Sequence, residues 1–443
     1  MLNLFDNFDQ ASFDLFRSQK AAQINIPTVV INDDGFLPTE VESPIKFFGQ
    51  YNQKRSPLYF DQVPVPKYWR ILSTASFGEI YDLDQKRAKI IYHSNDNSRQ
   101  VKEVQWLDRQ GELNWADHYN RYGYHFATTF YENNQPTWRK YYDKHQETFL
   151  VWNLRAGSLF LTTDGQKRFF ASWIEFIKYY LTVRHFKLDH IFYNTLNQGL
   201  SVTMALSESG ADTLFWHEPL SGNDLPGNMQ FLMEHSTRTK HIVFQRYPDW
   251  QRVKASLPDN QYVDFSYLGM IYPHPRGNRL RSDALIFTNS DELVELTTLV
   301  KQLPQVKFHI AAVTEMSDKL LAYQQYPNVE LYPNVSWTRV KQLIADCDIY
   351  LDINRQNEIL DAVRGAFEQN MLILGFDETL HEAQFVAPQN IFKVTEAKKM
   401  GEQILSALLK PALMKELIDT QRKLASEVSG QDYRDQIGAL KNE

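Results

Sequence analysis

Carboxylates are the residues in the last third of this chain that could do chemistry, and their spacing limits what that chemistry can be. Asp346 and Asp348 flank the single cysteine, Cys347, and Glu358, Asp361 and Glu368 follow. An acid pair two positions apart could hold a divalent cation through its oxygens. Asp348, however, opens an apolar strand, so the pair reads as part of the fold. Glu358, Asp361 and Glu368 read equally as an ordinary helix face shared with Arg364. Transfer from a diphosphate leaving group needs positive charge or backbone amides where negative charge grows. After an expected strand at 284–287 the chain reads Thr288-Asn-Ser-Asp-Glu-Leu-Val-Glu, and no Lys or Arg occurs before Lys301. Asp291, Glu292 and Glu295 fill that turn and helix start. Acids there support a helix N-terminus modestly, but they would repel a diphosphate. His217, beside Glu218 at a strand end, reads as structural. Arg276, Arg279 and Arg281 could meet a phosphate or an acidic partner, but prolines and a glycine around them favour a solvated linker. Cys347 cannot form an internal bridge and falls in an expected buried strand, which argues against a reactive thiol. No catalytic, cofactor-binding or metal-ligating residue is assigned from these patterns, and no cofactor is expected.

Alternating elements must position these groups. Helical spacing of Leu4, Phe8, Leu15 and Ala22 predicts a helix over 3–22, followed by a strand at 28–31 and a turn at Asn32-Asp-Asp-Gly35. From 67 to 163 short alternating runs prevail, at 88–93, 101–107 and 148–154, with Tyr122, Tyr124, Phe126, Thr128 and Phe130 facing one way. Asn95-Asp-Asn-Ser and Asn133-Asn-Gln-Pro suit the connecting turns. This predicts an antiparallel meander with one face free to stay open. Phe169, Phe170, Trp173, Phe176, Ile177 and Tyr180 then mark the buried side of a long helix. Strands are expected at 190–193, 213–217, 241–245 and 262–267. After a break at 272–281, strands are expected at 307–312, 329–332, 349–353 and 371–374, with helices at 291–301, 316–323, 337–345 and 358–368. Such alternation implies parallel sheets covered on both faces. Final helices are expected at 397–409 and 412–428.

Length and charge set the outer bounds. The chain has 443 residues, enough for two or three domains with cores that need no disulfide or metal. A net charge of −7 without a basic stripe argues against nucleic acid. The apolar runs are strand-length, so no transmembrane segment is expected. The start Met-Leu-Asn-Leu-Phe-Asp lacks the basic, apolar pattern of an export signal, and a cytoplasmic location is expected. Twenty Phe, Tyr and Trp residues fall between Trp106 and Tyr180. Tyr and Trp on an open sheet face suit protein binding, and a sheet edge can pair with an extended peptide.

Two α/β domains joined by a break describe the glycosyltransferase B architecture: two Rossmann-like domains with an inserted antiparallel β-meander. The expected boundaries are 1–66 with 164–275 for the first domain, 67–163 for the meander, 282–410 for the second domain and 411–443 for closing helices. In retaining enzymes of this layout two glutamates at a closer spacing hold the donor's diphosphate and ribose. At that spacing from Glu368 and Glu358 stand Leu360 and Ala366. The chain resembles the accessory subunits of the bacterial O-GlcNAc transferase that modifies serine-rich repeat adhesins before accessory Sec export. The likeness spans the chain and is most specific at Leu4-Phe-Asp, Pro27-Thr-Val-Val-Ile-Asn-Asp-Asp-Gly-Phe-Leu-Pro38, Ser43-Pro44 and Ala366-Phe-Glu-Gln-Asn-Met-Leu-Ile-Leu-Gly-Phe-Asp-Glu378. The resemblance implies a non-catalytic body that pairs with a catalytic GtfA-type subunit through the inserted domain, as a two-plus-two heterotetramer. It implies stabilisation of that subunit, binding of a Ser/Thr-rich adhesin polypeptide that receives sugar from a UDP-sugar, and peripheral attachment at the cytoplasmic face of the membrane. The alternative is an autonomous retaining glycosyltransferase with an altered donor site.

Overall fold

The computed structural model describes every residue except 53–54, 75, 94–97, 223, 258 and 442–443. The expected turn at Asn95 lies outside the described residues. The chain divides into two compact units, Met1–Val243 with Pro258–Ser266, and Phe244–Leu257 with Tyr267–Asn442.

The first unit opens with a strand, Leu2–Phe5, where helical spacing predicted helix. Leu2, Leu4 and Phe5 are fully buried, and the strand pairs in parallel with both Thr28–Val30 and Ile191–Tyr193. The helix begins only at Gln10, because Asp9 caps it by accepting from the Ser12 amide at 2.9 Å. A six-stranded sheet follows the order Asp264–Tyr267, Thr239–Phe244, Asp212–Trp216, Ile191–Tyr193, Leu2–Phe5, Thr28–Val30.

Between the second and third strands of that sheet in chain order lies the meander. Ten strands, from Arg70–Ser73 to Gln166–Phe170, pair in simple sequence order. The turn at Asn133 and Asn134 has both residues left-handed (φ 51° and 58°), the geometry tight hairpins need. Phe169 and Phe170 belong to the last strand, not to a helix. The helix is Trp173–Val183, set by Ser172, which caps the Glu175 amide while Glu175 reaches back to the Ala171 amide. Phe176, Ile177 and Tyr180 on that helix are fully buried against Leu150, Leu159 and Leu161 of the sheet. Each such large apolar side chain contributes about 1.5–3 kcal/mol by leaving water.

The second unit holds a parallel sheet in the order Val329–Tyr332, Lys307–Ala312, Asp283–Thr288, Ile349–Asp352, Leu372–Phe376, Ile391–Phe392. Strand order therefore reverses between the third and fourth members, as in doubly wound folds. The helix Leu296–Gln302 starts later than the acids at 291–295 suggested. The helix Ala362–Glu368 likewise starts after Glu358, because Leu360 and Asp361 take left-handed backbone (φ 64° and 46°) that no α-helix can include. Helices Ala397–Leu409, Pro411–Leu424 and Gly430–Lys441 close this unit, with the buried Tyr433 hydroxyl on the Gly269 carbonyl at 2.8 Å. Among the described residues no helix is long and apolar enough to cross a membrane.

Candidate functional site

Sheets of this winding bind ligands beyond the carboxyl ends of their strands, where the order reverses. In the second unit that place lies beyond Asp283–Thr288 and Ile349–Asp352, and buried Asn354 sews it together. Its Oδ1 accepts from the hydroxyls of Thr288 and Ser290 at 3.1 and 3.2 Å. Its Nδ2 donates to Asn289 Oδ1 and to the carbonyls of Gln356 and Asn357 at 3.0–3.3 Å. The Arg355 amide adds a bond to the Glu292 carbonyl at 3.2 Å. Amides and hydroxyls that could have met a phosphate are thus turned on one another.

Charge around this seam is acidic. Asp291 lies 3.8 Å from Lys319, Arg355 pairs with Glu378 at 3.1 Å, and Arg364 pairs with Glu368 at 3.1 Å. Asp352, almost wholly buried, accepts from the backbone amide and Nδ1 of His381 at 2.8 and 2.6 Å. His381 Nε2 faces the Gln356 carbonyl at 2.7 Å. With acceptors on both ring nitrogens the protonated imidazole is favoured: burial opposes the charge, but the Gln356 carbonyl and Asp352 outweigh it and raise the pKa. Burial raises Glu358, and burial with the neighbouring Glu358 pushes Glu382 up to about 7. Glu358 also accepts from the Val363 amide at 2.8 Å, holding the start of the helix from outside. The hydroxyls at the reversal point are thus spent on Asn354, and Lys319, Arg355 and Arg364 each stand beside a carboxylate that competes with a diphosphate for them. Among the described residues no group of three His, Cys, Asp or Glu side chains is arranged to hold a metal ion.

The arginines near 276 correct the linker reading. Asp348, fully buried, pairs with Arg276 at 2.5 Å and Arg281 at 3.0 Å and accepts from the amides of Arg279 and Arg281, each at 2.9 Å. Arg279 is held there through its backbone amide. Burial raises the Asp348 pKa, but the Arg281 and Arg276 groups bring it below the usual carboxylate range. Asp348 is therefore a structural anion, while Asp346 is largely exposed. Cys347 is buried at the end of the helix Trp337–Asp346 rather than in a strand, and burial pushes its thiol up to about 12, leaving it inert at neutral pH. His217 is half-buried just past the strand Asp212–Trp216. Asn354, His381 and Glu382 escaped sequence reasoning, since no spacing links residues in separate loops.

The first unit carries an exposed aromatic surface. Cross-strand register puts Phe130 opposite Trp138, Val151 opposite Phe160 and Phe160 opposite Phe169 on one face of the meander. Toward its first strands this face is covered, with Ile80, Ala88, Ile90 and Val104 under Leu58, Phe60 and Trp69. Toward its last strands it is open: Trp138, Phe160 and Phe169 are 41%, 45% and 57% exposed. Exposed Phe and Trp side chains on a sheet have the composition that protein-binding surfaces favour. The opposite face is core toward the last strands, where Leu150, Leu159 and Leu161 are buried.

The turn after Thr28–Val30 couples this sheet to the parallel one. Asp33, half-buried and with its pKa raised by desolvation, accepts from the Gly35 amide at 2.8 Å and from the Ser43 hydroxyl. Asp34 pairs with Lys102 at 2.8 Å, and Arg121 donates from its amide to the Gly35 carbonyl and from its guanidinium to the Leu37 carbonyl, both at 2.9 Å. Phe36 stacks on His93 with ring centroids 3.7 Å apart. The Asn32–Pro38 sequence is thus a joint inside the first unit, not a simple turn.

Four family profiles cover the chain: GtfB N-terminal domain over 2–48, GtfB middle domain over 69–171, GtfB third domain over 173–256 and GftB/GlyA-F C-terminal domain over 284–421. A relative from Limosilactobacillus reuteri subsp. suis, named UDP-N-acetylglucosamine–peptide N-acetylglucosaminyltransferase stabilizing protein GtfB, is 74% identical over all of both chains. A chain in the crystal structure of a GtfA/B complex bound to UDP and GlcNAc superposes with a TM-score of 0.94 at 39% identity, covering 99% of this chain and 100% of that one. The pneumococcal O-GlcNAc transferase GtfA, 10% identical, shares the fold alone, with a TM-score of 0.54 over 100% of this chain and 99% of its own.

Proposed function

The chain belongs to the GtfB family of stabilising proteins, and from that premise we propose that it is the non-catalytic subunit of a polypeptide O-N-acetylglucosaminyltransferase. It pairs with a catalytic GtfA-type chain through the open aromatic face of its meander, in a two-plus-two assembly. It stabilises that chain and holds a Ser/Thr-rich acceptor polypeptide, an adhesin of the serine-rich repeat class, while sugar arrives from a UDP-sugar. The assembly works in the cytoplasm, peripherally at the membrane face. Holding a flexible acceptor beside a partner's active site raises its effective concentration there without new chemistry.

One observation carries this reading: the switch-point crevice is closed by Asn354 and ringed by carboxylates, while an aromatic sheet face stands open. The same observation disfavours an autonomous transferase. Co-expression with the catalytic chain tests it. Acceptor glycosylation should need both chains, and Phe160→Glu with Phe169→Glu should abolish co-purification. Because both side chains are exposed, folding stability should change by only about 0.5 kcal/mol. Continued assembly of the double variant would refute the docking role.

A further inference from the structure

In the second unit, the loop between the strands Leu372–Phe376 and Ile391–Phe392 is fastened beside the switch-point crevice by one imidazole. His381 meets acceptors on both sides: Nδ1 lies 2.6 Å from Asp352 Oδ1, and Nε2 lies 2.7 Å from the Gln356 carbonyl. A carbonyl only accepts, so the second contact needs a hydrogen on Nε2. The first needs one between nitrogen and carboxylate as well. The geometry therefore calls for one proton more than a neutral imidazole and a carboxylate hold together. When that proton leaves, lone pairs face each other across one contact or the other. Asp352 is 1% exposed and the His381 side chain 17%, so little water is at hand to replace the lost bond.

Carboxylates surround the pair. Glu358 faces His381, while Glu358, Asp361 and Asp352 face Glu382 with Arg364 opposing them. Arg355, on the seam, is committed to Glu378 at 3.1 Å. Among the described residues, buried Glu382 Oε2 has no hydrogen-bond donor. The Gln356 carbonyl also accepts from Asn354 Nδ2 at 3.0 Å, so His381 and the asparagine that closes the reversal point hold one and the same group. On either side the loop is held by groups that do not titrate. The Thr379 hydroxyl donates to the Asp352 carbonyl at 2.6 Å, and Phe385 and Val386 are buried.

We propose that the 380–384 segment is a proton-operated latch on the crevice, closed while His381 donates from both ring nitrogens and released when the imidazole loses one of those protons. Burial lowers the His381 pKa, but the Gln356 carbonyl and Asp352 outweigh it and hold it above the ordinary 6.5. The latch is thus fully closed below 6.5 and loosens as pH rises through the folded value. Burial and Glu358 push Glu382 up to about 7, so its ionisation loosens the same segment in the same direction.

The test uses the full chain, labelled at histidine Cε1 for NMR titration, with hydrogen–deuterium exchange of the 377–386 stretch corrected for the intrinsic pH dependence of exchange. Between about pH 5.5 and about pH 9, protection across 380–384 should fall roughly tenfold. Its midpoint should coincide with that of the His381 resonance and lie above 6.5. His381→Gln, which cannot hold the extra proton, should show low protection from the acid end onward, with its melting curve reporting that it folds. Glu358→Gln keeps an acceptor for the Val363 amide and removes a carboxylate facing His381, so both midpoints should move to lower pH together. It serves if the histidine variant fails to fold. A His381 midpoint at or below 6.5, or protection that stays constant while His381 titrates, overturns the proposal. So does a loss of equal size in His381→Gln, or midpoints that separate in Glu358→Gln.

Discussion

At the scale of single residues, the chain's charged groups serve the fold where their sequence context suggested chemistry or solvent. Asp348 is the strongest case, because two arginines 67 and 72 positions earlier in the chain close on it. Their charge pattern was legible, but nothing in 276–281 points to an anion so far along the sequence. Asp348→Asn keeps the shape and leaves Arg276 and Arg281 with an unbalanced buried charge, which should lower unfolding free energy by about 3–5 kcal/mol in denaturant titration. The folded pKa of Asp348 lies below its ordinary 3.8. Its stabilisation is therefore fully present above 3.8 and is lost as pH falls through the lower folded value, so the gap between wild type and variant should shrink only in strong acid. Glu382 works in the opposite direction. An acid raised from 4.5 to about 7 by burial and Glu358 makes the folded state less stable as pH climbs between those values. Glu382→Gln should therefore stabilise the protein by roughly 1–3 kcal/mol above pH 7, with the gain vanishing below 4.5. Melting temperatures across that range would show it, and a pH-independent difference would refute the assignment.

At the scale of elements, apolar strands in the second unit were readable almost to the residue, as Lys307–Ala312 and Val329–Tyr332 show. A continuous buried run bounded by polar residues has few alternatives there. Periodicity failed where capping and backbone decided instead: at Asp9, at Ser172 and at Leu360-Asp361. The openness of the meander was legible as a class of surface, but which aromatic residues stay exposed depends on the 58–69 segment covering only the first strands. The joint at Asn32–Pro38 sets how the two sheets of the first unit meet. Gly35 has φ +90°, and a Cβ there would come within 2.8 Å of the Phe126 ring and 3.0 Å of Asn120 Cα. Gly35→Ala should lower stability by about 1–3 kcal/mol. It should also impair assembly with the catalytic chain, since the sheet bearing Trp138, Phe160 and Phe169 is anchored here. Unchanged melting and unchanged co-purification would mean the joint tolerates a shift it has no room for.

For the whole molecule the question is why a transferase fold should do no transfer, and composition cannot answer it. The crevice's disabling features are a cross-loop asparagine and the sign of nearby charge, and only the second is visible in sequence. The two make separable predictions. If charge alone were at fault, Asp291→Lys with Glu292→Lys would restore attraction for a diphosphate and UDP release from a UDP-sugar would appear. If closure also matters, the double variant should remain inactive by itself, because Asn354 still engages the Thr288 and Ser290 hydroxyls and the loop carbonyls that line the reversal point. We expect the second outcome: no UDP release above background from wild type or variant alone, and wild-type acceptor glycosylation when either is co-expressed with the catalytic chain. The last half follows from geometry. Asp291 and Glu292 lie on the second unit, whereas the proposed docking residues lie on the meander of the first. A variant that lost complex activity would place the crevice in the partner's service after all.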